Sequence, residues 1–355
     1  MDDDQLGTCI SAMGSQKVSL MQAFYFHEKE GLCMKISMVC RVLLTLAVIG
    51  NLVLSSPRQA KGSDGELNVM TINLLFSEVE DRDMRLDTIA NFVNGSQEPI
   101  DLILLQEVVG GALSNTVNSA LDLKDKLAAG GLDYNLSYRM ANGLPGLLTV
   151  GNAILSLHEI LFTVATTLPF ESEEIFQGVE IPLKRKAMMS RINVPGFGKT
   201  NVYNTHLCAY CDPQERLEQT KVLMKFIQTV EMFTLGTNPI ILGGDFNIVD
   251  ALIGSEFAPE YDLIISKGFT DSYAATNECV NCCQVENSSA TGCTFAVQGN
   301  PYAINLFSGE SEESVRIDYI FVKDVSQVQS SEVVLNQDPL WVSDHSALLT
   351  KIGLP

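Results

Sequence analysis

Beyond residue 60, apolar runs of strand length alternate with amphipathic stretches, and most of the apolar runs close on polar or charged residues. Residues 67–73, 101–107, 152–156, 201–206, 239–245, 317–322 and 346–352 are predicted as strands on this pattern. Residues 84–93 carry a helical pattern. A stronger helix follows Asp212, where Asp212 can cap, Pro213 suits the first turn and Glu215 can close a capping box. Leu217, Leu223, Met224, Ile227 and Val230 then form its buried side. Strands this continuously apolar are covered on both faces, so helices must flank the sheets. Residues 277–309 break the pattern: rich in Cys, Asn, Ser and Gly, they read as a long loop held by disulfides. No repeat and no long linker interrupts the remainder.

The amino-terminal segment has another pattern. Met34, Lys35 and Arg41 precede an apolar stretch at 42–54 and the small polar residues Ser55 and Ser56, the order of a secretory signal peptide. The stretch is short for a membrane span, which needs ~20 apolar residues, so an uncleaved anchor is the weaker alternative. The expected organisation is an extension of unknown role at 1–33, a signal peptide at 34–60 and one catalytic domain at 61–355. The product is expected to be secreted or periplasmic, and monomeric.

Composition adjusts this picture in two respects. A hydrophobic fraction of 46% over 355 residues supports a large buried core. The net charge of -20 lies in the chain beyond residue 60, and a surface that acidic gains no counterion-release affinity for nucleic acid unless a local cleft supplies it. Of the 9 cysteines, Cys208, Cys211, Cys279, Cys282, Cys283 and Cys293 fall in the expected mature domain. An even set in an exported chain suggests up to three disulfides, whose pairing the sequence leaves open. Cys208 and Cys211 also fit a zinc or redox pair, but no second pair at finger-like spacing accompanies them.

The acids fall where the chemistry would need them. Glu107, Asp245 and Asp344 each stand at or just past the end of an apolar run, where strand ends would gather them. A hard cation such as Mg²⁺ takes oxygen ligands of this kind, keeping waters and a substrate phosphate as its other partners. Gly243-Gly244-Asp245-Phe246-Asn247 adds glycines that let backbone approach a phosphate, an acid to orient water and an amide to hold a phosphoryl oxygen. His345 follows Asp344, and Asp318 on another strand could fix its tautomer and make it a proton acceptor. His206, at another strand end, could protonate the leaving oxygen or stabilise the phosphoryl group. His27 and His158 lack such settings and receive no role.

Six blocks carry a resemblance. Met70-Thr71-Ile72-Asn73, Leu105-Gln106-Glu107, Asn204-Thr205-His206-Leu207, Gly244-Asp245-Phe246-Asn247, Arg316-Ile317-Asp318-Tyr319 and Ser343-Asp344-His345 resemble, in order, the signature blocks of the endonuclease/exonuclease/phosphatase superfamily. That superfamily includes pancreatic-type deoxyribonuclease, abasic-site endonucleases, inositol-phosphate phosphatases and neutral sphingomyelinases. The resemblance implies an α/β fold: a four-layer α/β/β/α sandwich of two mixed β-sheets flanked by helices, with the site at one end of the sheets. It implies that Asn73, Glu107 and Asp344 hold Mg²⁺ (Mn²⁺ or Ca²⁺ being alternatives), and that Asp245 and Asn247 orient water and phosphate. It further implies that His345, oriented by Asp318, is the base and that His206 binds or protonates the phosphate. The deoxyribonuclease branch pairs its equivalent of His206 with an acid, and no such partner is identifiable here.

The resemblance thus implies a phosphodiester hydrolase. Charge favours a phospholipid-type substrate such as sphingomyelin, with a secreted deoxyribonuclease as the alternative and a non-catalytic secreted binding protein as a third reading. Bacterial neutral sphingomyelinases carry an aromatic-rich membrane hairpin between the last two blocks. Residues 323–342 hold only Trp341 as an aromatic, so any peripheral membrane contact would fall elsewhere, for example on the apolar loop 301–307. Asn94, Asn135 and Asn287 are N-glycosylation matches of relevance only in a glycosylating host.

Overall fold

The computed structural model describes residues 65–353 apart from 76–80, 177–178, 196–197, 210, 235–238, 250–257, 280–281, 287–288 and 305–311. The expectations for the extension, the signal peptide and His27 fall outside the described residues.

Two six-stranded sheets carry the chain. The first contains β1 (Glu66–Asn73), β2 (Leu102–Gly110), β3 (Asn135–Leu144), β4 (Leu148–Ser156), β13 (Gln327–Val334) and β14 (Ala347–Gly353), in the order β13-β14-β1-β2-β4-β3. The second contains β5 (Glu159–Phe176), β6 (Val179–Val194), β7 (Gly198–His206), β8 (Ile240–Asp245), β9 (Thr270–Asp271) and β12 (Asp318–Lys323), in the order β5-β6-β7-β8-β12-β9. A small ribbon of β10 (Gln284–Glu286) and β11 (Ser289–Thr291) stands apart from both. Both sheets are mixed, because β1 runs parallel to β2 and β7 parallel to β8 while the other pairings are antiparallel.

Three apolar clusters stack the layers. Val69, Leu104, Met188, Val202, Ile241 and Ile320 meet between the sheets. On the outer face of the first sheet, α1 (Arg82–Gly95) and α2 (Ser119–Ala129) bury Ile89, Val93, Leu123 and Leu127. On the outer face of the second, α3 (Pro213–Thr234) and α4 (Pro259–Ser266) bury Leu223, Ile227 and Ile264, and a short α5 (Ser272–Asn277) follows β9. This is the expected four-layer α/β/β/α sandwich.

All seven sequence-read strands are present within a few residues of their expected limits. The capping box of α3 forms as read: the amide of Gln214 donates to Asp212 Oδ1 at 2.7 Å, and the amide of Asp212 donates to Glu215 Oε2 at 3.2 Å. Its buried side differs in detail, since Leu217 is half-buried while Gln219 and Thr220 are buried. Gln219 donates to Pro169 O at 2.8 Å and accepts the amide of Cys208 at 3.0 Å, which satisfies its polar ends. The long hairpin β5–β6 does not stand out in the sequence, because its alternating polar residues match an exposed outer edge rather than a doubly covered strand.

Disulfides link Cys208 to Cys211, Cys279 to Cys282 and Cys283 to Cys293. The expected count of three holds, the Cys208–Cys211 pair is a disulfide, and two of the bonds tie the 277–309 segment. Among the described residues, no helix is long and apolar enough to cross a membrane.

Candidate active site

The carboxyl ends of β1, β2, β7 and β8 converge with the start of β12 and the segment before β14, and this convergence gathers the sequence-predicted residues. Asp318 pairs with Asp245 in the β12–β8 ladder, and Asp245 pairs with His206 in the β8–β7 ladder. Across the other sheet, Asn73 pairs with Gln106.

Asp245 is the centre of the set. Its Oδ2 accepts from Asn73 Nδ2 at 3.0 Å and lies 3.3 Å from His206 Nε2 and 3.7 Å from His345 Nε2. Its Oδ1 accepts the amide of Asn247 at 3.0 Å. Asn73 Nδ2 also reaches Glu107 Oε1 at 3.1 Å, so one amide joins the carboxylates of the two sheets. His345 Nδ1 lies 2.8 Å from Asp318 Oδ2, the orienting contact expected from the sequence.

Local backbone explains how these side chains are aimed. The β2–β4 register slips between Leu105 and Val108, and Glu107 within that slip has φ 55. A bulge of this kind redirects a side chain out of the ladder at a cost of roughly 1–3 kcal/mol for the left-handed residue. Beside it, Gln106 Nε2 donates to Asn204 Oδ1 at 2.8 Å, and Asn204 Nδ2 donates to Leu105 O at 2.9 Å and Ala153 O at 2.8 Å. These buried amides bridge the two sheets beneath the site.

The glycines before Asp245 have a packing role of their own. A Cβ on Gly244, whose φ is +141, would lie 2.0 Å from Thr205 O, and one on Gly243 would lie 2.5 Å from Leu104 Cδ1. Close packing of β8 against the β7 backbone thus requires glycine at 244, and at 243 a side chain would press on Leu104 of the facing sheet. Asn247 is half-buried with φ 52, and its Nδ2 donates to Leu207 O at 3.0 Å. One of its amide hydrogens is therefore already held in place.

Electrostatics divide the two histidines. Burial alone would lower the His345 pKa, but the carboxylates of Asp318 and Asp245 outweigh it and hold the imidazole well above its ordinary value. For His206 burial and the nearby cations act together, Arg185 first and then His345, and keep the ring neutral. Burial likewise pushes Asp245 up to about 7 and Asp344 up to about 6, with the charge of Glu107 adding to both.

His206 does have an acid beside it, Asp245 Oδ2 at 3.3 Å from Nε2, and Arg185, which the sequence pattern does not single out, packs against the same ring. Its Nη1 lies 3.2 Å from His206 Nδ1 and 3.1 Å from Nε2, and the side chain is buried. The available signal was Lys184-Arg185-Lys186, a run of three cations in a chain of net charge -20. Arg85 was also missed. From the buried side of α1 its Nη1 donates to Leu74 O at 2.8 Å and Val342 O at 2.9 Å, bracketing Asn73 and Asp344. His158 forms a separate buried pair with Asp101 at 3.0 Å, at the opposite end of the first sheet.

A divalent cation fits the acidic side of this site. The charge of Glu107 raises the proton affinity of both Asp245 and Asp344, and the buried Asp318 Oδ1 has no hydrogen-bond partner among the described residues. Ligand atoms of Asp245, Asp318 and His345 also lie within 4.8 Å of one another. Asp318 Oδ2 is engaged with His345 Nδ1, however, so the oxygen-rich Glu107, Asn73 and Asp344 side suits a hard cation better.

A family model described as Endonuclease/Exonuclease/phosphatase family matches residues 70–345. Among solved structures, an endonuclease/exonuclease/phosphatase family protein from Leptotrichia buccalis C-1013-b is 23% identical with a TM-score of 0.55, over 81% of this chain and 100% of that one. The mannosyl-6-phosphatase Bt3783 of Bacteroides thetaiotaomicron VPI-5482 is 20% identical with a TM-score of 0.54, over 81% of this chain and 99% of that one. Truncated Caenorhabditis elegans TDP2 is 18% identical with a TM-score of 0.54, over 83% of this chain and 100% of that one. At these identities the structures show a shared fold. No curated protein matches the sequence.

Proposed function

The chain belongs to the Endonuclease/Exonuclease/phosphatase family, and on that premise we propose that it is an exported, divalent-metal-dependent phosphodiester hydrolase in which His345 activates water. The observation that carries this reading is the Asp318–His345–Asp245 arrangement, in which Nδ1 is engaged at 2.8 Å and Nε2 faces the carboxylate of Asp245 at 3.7 Å. Asp318 holds the ring in the tautomer that presents Nε2 for proton transfer. Asp245, fixed by Asn73 and the amide of Asn247, orients the water.

Glu107, Asn73 and Asp344 would hold the cation, which would polarise a phosphoryl oxygen and offset the carboxylate charge that keeps His345 protonated. His345 Nε2 takes a proton from water as the water oxygen bonds to phosphorus. The ester P–O bond breaks, and the proton taken up by His345 passes through solvent water to the leaving oxygen, giving a phosphomonoester and an alcohol. The depressed pKa of His206 favours phosphate binding over proton donation: a neutral ring donates a hydrogen bond to the phosphoryl group, with Arg185 behind it.

The substrate class is a phospholipid-type phosphodiester such as sphingomyelin. The net charge of -20 supports it, because a polyanion meets a zwitterionic head group without the repulsion it meets at nucleic acid. The mature catalytic domain begins near residue 61, and three disulfides suit an exported product. The test is a side-by-side assay of the purified protein on sphingomyelin vesicles, plasmid DNA and a bis-aryl phosphodiester, with Mg²⁺ or with chelator. Metal-dependent release of phosphocholine is expected. Cleavage of DNA alone would move the substrate to nucleic acid, and no turnover of any of the three would end the hydrolase reading.

A further inference from the structure

At the site end of the first sheet, two loops form a tip beside Glu107. The segment after β2 folds back through a bridge between Gly111 and Thr116, and the β3–β4 turn packs against it. The amide of Leu113 donates to Leu147 O at 2.9 Å, and that of Ala112 to Gly146 O at 3.1 Å, so the two loops are one unit. Arg82 anchors the tip to α1 by donating to Ser114 O at 2.7 Å.

This tip turns aliphatic side chains to solvent. Leu113 and Leu144 are each 65% exposed, Val117 73% and Leu147 45%. The loops are also free of charge: residues 108–121 and 140–157 contain no Asp, Glu, Lys, Arg or His in a chain that is 19% charged. On the other sheet, Phe170 is exposed in the β5–β6 bulge just past the row that pairs Thr167 with Lys186 and Lys186 with His206. Val249, two residues beyond Asn247, is exposed as well. Exposed apolar side chains gathered on one unit mark a contact surface, and the tip follows β2 three residues beyond the bulge that aims Glu107.

We propose that this charge-free apolar tip seats the mouth of the site on a zwitterionic lipid surface. The inference rests on the phospholipid-type reading above and adds the surface through which such a substrate is reached. A lipid phosphodiester lies at a head-group plane, so the enzyme must present the end that bears Glu107 and His345 to that plane. Aliphatic side chains there enter the head-group boundary, and the absence of charge spares the desolvation that Lys, Asp or Glu would incur. The net charge selects the lipid: a chain of -20 is repelled by an anionic leaflet and not by phosphatidylcholine or sphingomyelin.

The experiment uses the full chain, co-sedimented with phosphatidylcholine vesicles with and without sphingomyelin. Wild type is compared with a Leu113→Ser, Leu144→Ser, Leu147→Ser variant and with a Met232→Ser, Phe233→Ser control at the opposite end of α3. The tip variant is expected to bind vesicles at least about tenfold more weakly, and the control to bind like wild type. Hydrolysis of a soluble bis-aryl phosphodiester should stay within about twofold in both variants, since neither alters the site. Equal vesicle binding by wild type and tip variant overturns the proposal. So does a wild-type dimer in sedimentation velocity that the tip substitutions dissolve, which would assign the tip to a second copy of the chain. Tip-dependent vesicle binding without lipid turnover would leave the docking surface standing and remove the substrate assignment. Lipid turnover that ignores the tip substitutions would do the reverse.

Discussion

Asp318 Oδ2 lies 2.8 Å from Nδ1 of His345, and both side chains are buried. The contact does two things at once: it fixes the ring so that Nε2 faces the reacting centre, and with Asp245 it keeps the imidazole pKa high. The two effects separate in Asp318→Asn. Loss of orientation should lower turnover by on the order of 10². Loss of the charge should lower the His345 pKa, so the acidic limb of the turnover-against-pH profile should move to lower pH. A profile that keeps its acidic limb in place would show that His345 is not the group whose deprotonation is being read.

His206 offers a second separation. If the neutral ring works as a hydrogen-bond donor, an amide can partly replace it, whereas a methyl group cannot. His206→Ala should cost about 10²–10³ in turnover, the scale for one lost donor to a phosphoryl oxygen. His206→Asn should retain at least about tenfold more activity than the alanine variant. Equal inactivity of both, with loss of the basic limb of the pH profile, would point to proton donation instead.

Burial pushes Asp245 to about 7 and Asp344 to about 6, which makes the metal-free protein sensitive to pH in a defined direction. A folded state that holds protons more tightly than the unfolded chain gains stability from these groups in acid. That gain is lost as pH rises from roughly 4, the ordinary carboxylate value, through the folded values. A divalent cation binds the ionised carboxylates, so the rise in Tm on adding Mg²⁺ should grow from pH 5 to pH 8. At a hundredfold excess over Kd the stabilisation is about 2.7 kcal/mol, worth several degrees. Thermal unfolding at several pH values, with Mg²⁺ or with chelator, checks this. A metal-induced shift independent of pH would place the cation on other ligands.

Much of this arrangement was legible in the sequence because it sits on strand ends. A doubly buried strand has a nearly pure apolar pattern, so a carboxylate, amide or histidine at its end stands out. In this way Asn73, Glu107, His206, Asp245, Asp318 and His345 all stand out in the sequence. Arg185 and Arg85 were hidden for the opposite reason. Arg185 lies inside a mixed polar run, Leu183-Lys184-Arg185-Lys186, where neither face looks privileged. Arg85 stands beside Leu86 and shares the buried side of α1 with Ile89, but a cation on a helix reads as solvent-facing until its partners are seen. The packing role of Gly244 was not legible either, because the backbone of Thr205 that it meets lies on another strand.

That packing gives a stability test at one atom. At Gly244 a side chain would have to occupy φ +141 with its Cβ 2.0 Å from Thr205 O, and the atoms it meets are all backbone of Thr205, which cannot rotate aside. Gly244→Ala should lose roughly 2–4 kcal/mol, from strain plus displacement of β8 against β7. Urea unfolding reads this directly. A loss below about 0.5 kcal/mol, the usual range for an unconstrained surface site, would show that the ladder shifts freely there.

Arg85 tests whether the metal side is built from the helix layer. A single Nη1 reaches the carbonyls of Leu74 and Val342, so one cation fixes the backbone immediately after Asn73 and shortly before Asp344. The same guanidinium lies 5.6 Å over the ring of Tyr302, which restrains it further. None of these contacts touches the reacting atoms, so Arg85 should act by positioning the ligands. Arg85→Met should weaken Mg²⁺ binding by about 10–100-fold, the range for groups that orient ligands from behind. Arg85→Lys, which keeps the charge and one direction of donation, should fall between that variant and wild type. Titration calorimetry with Mg²⁺ measures both, and turnover at saturating metal should recover toward wild type. A metal-free Tm that falls equally in both variants, with Mg²⁺ affinity unchanged, would reduce Arg85 to a structural tie between α1 and the sheet.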